Sequence, residues 1–303
     1  MLFALTGATG FVGGALARQL VEAGHDVRCL VRDPDGATML TGLGADLVTG
    51  DLGDAASLQS LCDGVDGLFH VAGWYQVGSR ASEQAWTVNV AGTRDMLAAA
   101  AQAEVPRIVY TSTLAVNSDT GGRPVDETYR FAGTHRSMYD ETKARAHEIA
   151  AAMATEGLPI VIVQPGLVYG PGDTSQTGGL VEEVVSGGRP LLPSGGGVCW
   201  GYIEDIARGH LLAMESGREG ESYMLAGPPA PLAEALRIAA HLAGTKGPVT
   251  MPTGAVRAAG TLAALVEKIV ELPPGYSSET LRSATATYYG NPAKAEAELG
   301  WTC

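Results

Sequence analysis

The chain has 303 residues, 46% of them hydrophobic and 17% charged, with a net charge of −13. That length suits one large domain, or a domain plus a smaller lobe, around a substantial core. The acidic balance argues against nucleic acid and anionic membrane surfaces as partners, because both select basic patches, and no apolar run reaches the roughly 18 residues that span a bilayer.

The first strand is predicted at Leu2–Thr6 and runs into Thr6-Gly7-Ala8-Thr9-Gly10-Phe11-Val12-Gly13. Gly7 permits a tight turn, Gly10 lets the backbone approach a pyrophosphate, and Gly13 lets the following helix, Gly13–Ala23, pack closely on the sheet. The free N–H groups at the helix start then face phosphates. With 41 glycines in the chain the spacing alone is weak; its place after a first strand and before a helix makes it a nucleotide site. The second strand, Asp26–Val31, ends in Leu30-Val31-Arg32-Asp33-Pro34. An acid there binds the ribose 2′-hydroxyl of NAD, whereas an arginine sits by the 2′-phosphate of NADP. Arg32 therefore favours NADP(H), with NAD(H) left open; the alternative is a solvated arginine paired with Asp33 or Asp35. After the third strand, Asp46–Thr49, Asp51 and Leu52 are placed to contact the adenine, although Asp51 also reads as a turn acid.

Helix Ala55–Leu61, strand Gly67–Val71, helix Val88–Ala103, strand Arg107–Ser112, helix Tyr139–Thr155 and strand Ile160–Gln164 follow. Strands alternating with helices imply a parallel sheet covered on both faces, with right-handed crossovers that collect the strand carboxyl ends on one edge. Ligands bind there. Beyond residue 170 the rhythm changes to glycine clusters (Gly170-Pro171-Gly172, Gly178-Gly179, Gly187-Gly188, Gly195-Gly196-Gly197) and helical patterns at Ile203–Glu215, Pro231–Ala243 and Gly254–Leu272. The expected class is α/β: a Rossmann-type doubly wound parallel sheet with a smaller, mostly helical C-terminal substrate lobe. Residues 1–170 form the dinucleotide-binding domain, with sheet contributions from about 200–226, and residues 171–303 are mainly the substrate-binding lobe.

Lysine is scarce (Lys143, Lys246, Lys268, Lys294), so Lys143 stands out four residues after Tyr139. That spacing puts both on one helix face. Free tyrosine has a pKa of about 10. A nearby ammonium and a positive nicotinamide ring favour the phenolate, and bringing it to neutrality takes about 4 kcal/mol. A hydroxyl must also hold the substrate oxygen, and Tyr110-Thr111-Ser112-Thr113 supplies one at the strand end. Chance YxxxK spacing is common on helices; the glycine turn and the hydroxyl cluster together make it a redox site acting on a hydroxyl or carbonyl carbon.

These motifs resemble the extended short-chain dehydrogenase/reductases, the NAD(P)-dependent epimerase/dehydratase superfamily. The likeness continues through Gly50-Asp51-Leu52, His70-Val71-Ala72-Gly73, Asn89-Val90-Ala91-Gly92-Thr93, Pro165-Gly166-Leu167-Val168-Tyr169-Gly170-Pro171-Gly172-Asp173, Tyr202-Ile203-Glu204-Asp205-Ile206-Ala207 and Glu298-Leu299-Gly300-Trp301. The resemblance implies Tyr139 as proton donor and acceptor, Lys143 as the residue that lowers its pKa and binds the nicotinamide ribose, and Thr113 (before Ser112) as the catalytic hydroxyl. It implies cofactor contacts from Gly7, Thr9, Gly10, Phe11, Val12 and Gly13, from Val71, Ala72 and Gly73, and from Pro165, Gly166, Leu167 and Val168.

Two branches compete. Leu30-Val31-Arg32-Asp33-Pro34 and His70-Val71-Ala72 resemble dihydroflavonol 4-reductases, which implies an NADPH-preferring reductase of ketones or aldehydes. The alternative is an NAD-dependent nucleotide-sugar epimerase or dehydratase, many of which carry a diphosphate-gripping arginine where this chain has Val198-Cys199; losing that contact counts against it. A cofactor-binding member without turnover is a third reading, disfavoured because Tyr139 and Lys143 are both present. Trp74, Tyr75, Gln76, His135, Arg136, Met138, Tyr169 and Trp200 suggest an aromatic or bulky apolar carbonyl or alcohol substrate, against ordinary packing. His70 reads as a packed strand-end residue and His147 as a helix-surface one. Alanines 98–101 and 150–152 on the two central helices suggest a homodimer.

Cys29, Cys62, Cys199 and Cys303 have neither metal-ligand nor CxxC spacing, so no metal site is expected and the thiols read as free in a reducing compartment. A strand that starts at residue 2 leaves no room for a signal peptide, and a cytoplasmic location is expected. Relatives run on past the equivalent of Trp301, so the last helix is expected to be trimmed or missing.

Overall fold

A computed structural model describes residues 1–75, 82–267, 270, 272 and 277–303. The first half is β1 (Leu2–Thr6), α1 (Phe11–Glu22), β2 (Asp26–Val31), α2 (Thr38–Gly42), β3 (Asp46–Thr49), α3 (Ala55–Cys62), β4 (Gly67–His70), α4 (Ser82–Ala85), a π-helical turn (Trp86–Ala91), α5 (Gly92–Gln102), β5 (Ile108–Thr111), a 3₁₀ turn (Leu114–Asn117), α6 (Met138–Thr155) and β6 (Ile160–Pro165). Then come β7 (Leu167–Tyr169), α7 (Gln176–Val185), β8 (Leu191–Pro193), β9 (Gly197–Tyr202), α8 (Ile203–Ser216) and β10 (Ser222–Leu225). The chain closes with β11 (Pro229–Ala230), α9 (Leu232–Ala243), β12 (Val249–Met251), α10 (Thr253–Val266), α11 (Ser278–Ser283), β13 (Thr287–Tyr288) and α12 (Ala293–Leu299).

Seven parallel strands form one sheet in the order β10-β6-β5-β4-β1-β2-β3. The order reverses between β1 and β4, and the carboxyl ends there open a crevice. Both faces of the sheet are covered, which is why its central strands are continuous apolar runs rather than alternating ones. β4 and β6 are buried at every residue. On one face Leu16 and Leu20 of α1, Ile206 and Ala207 of α8 and Trp301 join Phe3, Leu5, Val109 and Val163. On the other, Leu58 and Leu61 of α3, Met96 and Leu97 of α5 and Ala146 and Ala150 of α6 join Leu68, Ile108 and Ile162.

The strands and long helices follow the sequence expectation to within a few residues. The expected helix Val88–Ala103 divides: its first turns are a π-helix, which widens the turn and redirects its side chains. α7 falls in a glycine-rich stretch to which the sequence assigns no element; Ser175 caps it, its hydroxyl accepting the Gly178 N–H. β7, β9, β11 and β13 build a second, four-stranded sheet, and β8 pairs with β12. The expected helix Gly254–Leu272 is shorter, ending at Val266 with Glu267 in a turn; residues 268, 269 and 271 lie outside the described set. Among the described residues, no helix is long and apolar enough to cross a membrane.

Trp301 locks the late elements to the sheet domain. Its ring is buried between α8 and α12, and its indole N–H donates to the Asp205 carbonyl at 2.7 Å. Trp301→Ala is expected to cost about 3–5 kcal/mol of stability, read as a lower urea midpoint; a loss under about 1 kcal/mol would mean the site collapses freely around the missing ring.

Candidate active site

Gly7 takes φ +75, and a Cβ there would stand 2.7 Å from the Ala72 nitrogen. The turn after β1 therefore presses against the end of β4, a contact that only glycine allows. A Cβ on Gly13 would collide with the Gly7 carbonyl oxygen. Gly10 precedes α1 with no side-chain cap, and the first helical bond runs from Gly14 N–H to Gly10 at 2.8 Å. The N–H groups of Phe11, Val12 and Gly13 thus lack helical partners and, beside the exposed Thr9 and Gly10, make an anion-seeking rim.

Arg32 is exposed just past β2 and, among the described residues, makes no ion pair. Asp33 instead accepts the Asp35 N–H at 3.1 Å. Asp51 is exposed after β3, and its carboxylate accepts the Gly53 N–H at 3.2 Å, the geometry of a turn acid. Leu52 points inward and packs with the α3–α5 core, so its side chain faces away from the open edge. Val71, Ala72 and Gly73 follow β4; the Ala72 N–H donates to the Thr6 hydroxyl at 3.2 Å. A Cβ on Gly73 would lie 3.9 Å from Lys143 Nζ. Pro165 ends β6, Gly166 abuts the Cys199 carbonyl too closely for a side chain, and Leu167 and Val168 pair in β7 with Trp200 and Gly201 of β9.

Ser137 caps α6, its hydroxyl accepting the Asp140 N–H at 3.0 Å, and this sets the register of Tyr139 and Lys143. The Thr113 hydroxyl lies beside the Tyr139 phenol. Ser112 is engaged elsewhere, 2.9 Å from His147 Nδ1. Of the two candidate hydroxyls, then, Thr113 is the one that meets Tyr139. Lys143, 5% exposed, donates to the Thr111 carbonyl at 2.8 Å and to Tyr110 Oη at 3.2 Å. Burial pulls its pKa down to about 7. Burial also pushes the Tyr139 phenol above its usual range, helped by neighbouring Tyr75 and opposed by the Thr113 hydroxyl. The sequence expectation for Tyr139 counts the positive nicotinamide ring as well as the lysine. Desolvation outweighs the lysine, whose hydrogen bonds go to β5.

Asn89 comes from the π-helix and is buried. Its Oδ1 accepts the Trp74 N–H at 2.7 Å, and its Nδ2 donates to the Trp74 carbonyl at 3.1 Å and to Thr142 Oγ1 at 3.0 Å. It clamps the segment after β4 onto α6. Periodicity gives Asn89 no role; the sequence signals are its place in the Asn89–Thr93 motif and a polar residue at an inward helix position. Among the expected substrate-side residues, Trp74 and Trp200 are packed inside, while Tyr75 and Tyr169 are exposed. The Tyr75 ring meets the Tyr139 ring edge-on at 4.9 Å. Arg136 pairs with Asp119 at 3.0 Å, the Met138 N–H donates to Glu279 at 2.6 Å, and His135 is half-buried. Gln76 lies outside the described residues. His147 is not on open helix surface: it is half-buried, and its pKa is pulled down to about 4, by burial first and then by Arg130 and Lys143. His70 is packed, as expected of a strand end.

An uncapped helix start, a glycine turn with no room for a Cβ and an unpaired arginine past β2 fit a dinucleotide, and the fold and site together define a dinucleotide-binding Rossmann protein. The chain belongs to the NAD dependent epimerase/dehydratase family, whose model matches residues 3–226. It is 34% identical to a Synechocystis sp. protein provisionally named dihydroflavonol 4-reductase, over 98% of this chain and 89% of that one. It is also 34% identical to a 4-hydroxy-2-methyl-3-oxo-4-farnesyl-3,4-dihydroquinoline-1-oxide ketoreductase of Stigmatella aurantiaca, over 85% of this chain and 78% of that one. The crystal structure of gox2253 superposes with a TM-score of 0.87 at 33% identity, covering 100% of this chain and 93% of that one. A nucleoside-diphosphate-sugar epimerase from Pseudomonas aeruginosa superposes with a TM-score of 0.80 at 28% identity, covering 100% and 92%. Homologues in this family are NAD(P)-dependent reductases, dehydrogenases, epimerases and dehydratases.

Asp140 gives the site a pH-dependent element. It is buried and accepts Ser137 Oγ at 2.7 Å and Tyr288 Oη at 2.9 Å. Burial pushes its pKa up to about 6, with Glu279 adding and the two hydroxyls opposing. A carboxyl raised in the folded state stabilises it fully below the unfolded value, near pH 4, and loses that contribution as pH rises through about 6. Between pH 4 and pH 7 the wild type should therefore lose roughly 2 kcal/mol relative to Asp140→Asn. Urea unfolding of both proteins across that range measures it; the comparison cancels the opposing histidines, and a constant difference would mean Asp140 titrates normally.

Proposed function

We propose that this protein is an NADP(H)-preferring oxidoreductase that interconverts a ketone or aldehyde and the corresponding alcohol. The observation that carries the reading is the meeting of Thr113 and Tyr139 hydroxyls at the carboxyl end of β5, with buried Lys143 one turn behind. The rim at Gly7–Gly13 holds the pyrophosphate, Arg32 the 2′-phosphate, and Lys143 the nicotinamide ribose. Ala72, Gly73 and the Pro165–Val168 segment border the nicotinamide end. The bound nicotinamide supplies the hydride in reduction and accepts it in oxidation.

The chain's own residues manage the oxygen. Thr113 and Tyr139 hold the carbonyl oxygen, and Tyr139 gives it a proton on reduction. A phenol whose pKa is held high is fully protonated at neutral pH, which supports the donor direction. The ammonium of Lys143 favours the phenolate that remains. Tyr75, edge-on to Tyr139 and exposed, offers a flat apolar wall to an aromatic substrate.

The likeness to a nucleoside-diphosphate-sugar epimerase keeps an epimerase as second reading. Against it, Cys199 of β9 is fully buried, its Sγ accepting the Gly290 N–H at 3.3 Å, so this position presents no cation to a diphosphate. A homodimer through α5 and α6 is also proposed, with a smaller stripe than expected: Ala99, Ala100 and Ala150 are spent in the monomer's own core.

NADPH and NADH absorbance, followed against aromatic and aliphatic ketones and aldehydes, tests the reading. Tyr139→Phe is expected to lose about 100-fold or more in turnover while still binding cofactor. No net oxidation, with nicotinamide retained through purification, would move the assignment to an epimerase. Arg32→Asp is expected to weaken NADPH by about 10- to 100-fold and leave NADH nearly unchanged; equal effects on both cofactors would remove Arg32 from the 2′-phosphate.

A further inference from the structure

Lys143 is the first member of a buried polar chain that crosses the sheet domain. Its Nζ donates to Tyr110 Oη at 3.2 Å, and the Thr93 hydroxyl lies beside the Tyr110 phenol. Thr93 Oγ1 lies 3.2 Å from His70 Nε2, and His70 Nδ1 lies 2.8 Å from Thr6 Oγ1, which accepts the Ala72 N–H. Tyr110, Thr93, His70 and Thr6 are each at most 1% exposed. The His70 ring stacks on Tyr110 at 5.6 Å, and Lys143 Nζ sits 4.9 Å over the Tyr110 ring.

We propose that Tyr110, backed by Thr93, His70 and Thr6, is a positioning residue that fixes Lys143 Nζ and keeps its ammonium charged inside the protein. The proposal deepens the reductase reading and rests on it for the role of Lys143 beside Tyr139. An ammonium has three donors and no acceptor, so Tyr110 Oη must receive. The one hydrogen of Tyr110 then goes to Thr93, the hydrogen of Thr93 to His70 Nε2, and the hydrogen on His70 Nδ1 to Thr6. The charge thereby orients every dipole in the chain away from itself, and such ordered chains reinforce one another at low dielectric.

The titratable groups facing Lys143 are Tyr110 on β5, His70 on β4, and Tyr139 and His147 on its own helix. Burial holds His70 neutral, its pKa down to about 3, and pushes the Tyr110 phenol up. Burial lowers the lysine, and no carboxylate among the described residues offsets it. The ammonium is therefore held by oriented neutral groups, the Thr111 carbonyl and the Tyr110 hydroxyl, of which substitution can remove the Tyr110 hydroxyl. The far end of the chain, the Ala72 N–H, belongs to the backbone that presses on Gly7, so the lysine is tied to the cofactor turn.

Four lysines make the test direct: the full chain labelled with ¹³Cε-lysine, with Lys143 assigned through Lys143→Arg, yields its titration by NMR. Tyr110→Phe is expected to lower the Lys143 midpoint by about 1 pH unit, as loss of one charge-assisted hydrogen bond implies. Thr93→Val should lower it by less, in the same direction, and serves if Tyr110→Phe does not fold. The alkaline limb of kcat/KM for ketone reduction should move by the same amount. Val109→Ala, a cavity on the opposite face of β5, controls for loosened packing. An unmoved midpoint in the folded variants, or an equal shift in Val109→Ala, overturns the proposal. If the wild type reduces no ketone the reductase reading fails, and the titration alone still decides the role of Tyr110.

Discussion

Lys143 reaches the interior from α6 and, among the described residues, its hydrogen bonds go only to neutral oxygens, the Thr111 carbonyl and the Tyr110 hydroxyl. An unpaired buried ammonium costs several kcal/mol, so everything around it must hold its dipoles in place. That demand reaches far from the lysine. α6 must keep its register, which the Ser137 cap supplies, and β5 must present Thr111 at the right depth between β4 and β6. The segment after β4 must stay against α6, and Asn89 holds it there from a π-helical turn. A wide helical turn is a local concession made for one side chain, a pattern common where a residue must be aimed.

The parallel sheet was legible because burial on both faces leaves strands such as Ile160–Pro165 uniformly apolar, with glycines where the backbone turns or touches. The edge at which Tyr139, Thr113 and Gly7 gather follows from topology alone. What stayed hidden depends on pairs distant in sequence: Thr6 with His70, His70 with Thr93, Tyr110 with Lys143 and Ser112 with His147. Periodicity reports which face a residue is on and says nothing of its partner there. His147 reads as surface because its helix neighbours Glu141, Arg145 and Glu148 are exposed.

The smaller lobe is bound to the first turn of α6 by polar contacts rather than a shared apolar core. Tyr288 of β13 donates to Asp140, Glu279 of α11 accepts the Met138 N–H, and Asp119 accepts from Arg136 and Thr287. These contacts fall within one turn of Tyr139, so the late elements of the chain grip the helix that carries the phenol. Directional contacts of this kind fix an orientation that apolar packing alone leaves loose.

β10, the outermost strand beside β6, is built from residues 222–225, far downstream of the strand it completes. While the polypeptide is being made, β6 emerges first, with one row of backbone groups unsatisfied along an apolar ribbon. At roughly 5–20 residues per second, several seconds pass before its partner arrives. The nascent chain is most exposed to self-association in that interval, and synthesis that stalls there leaves an adhesive edge open.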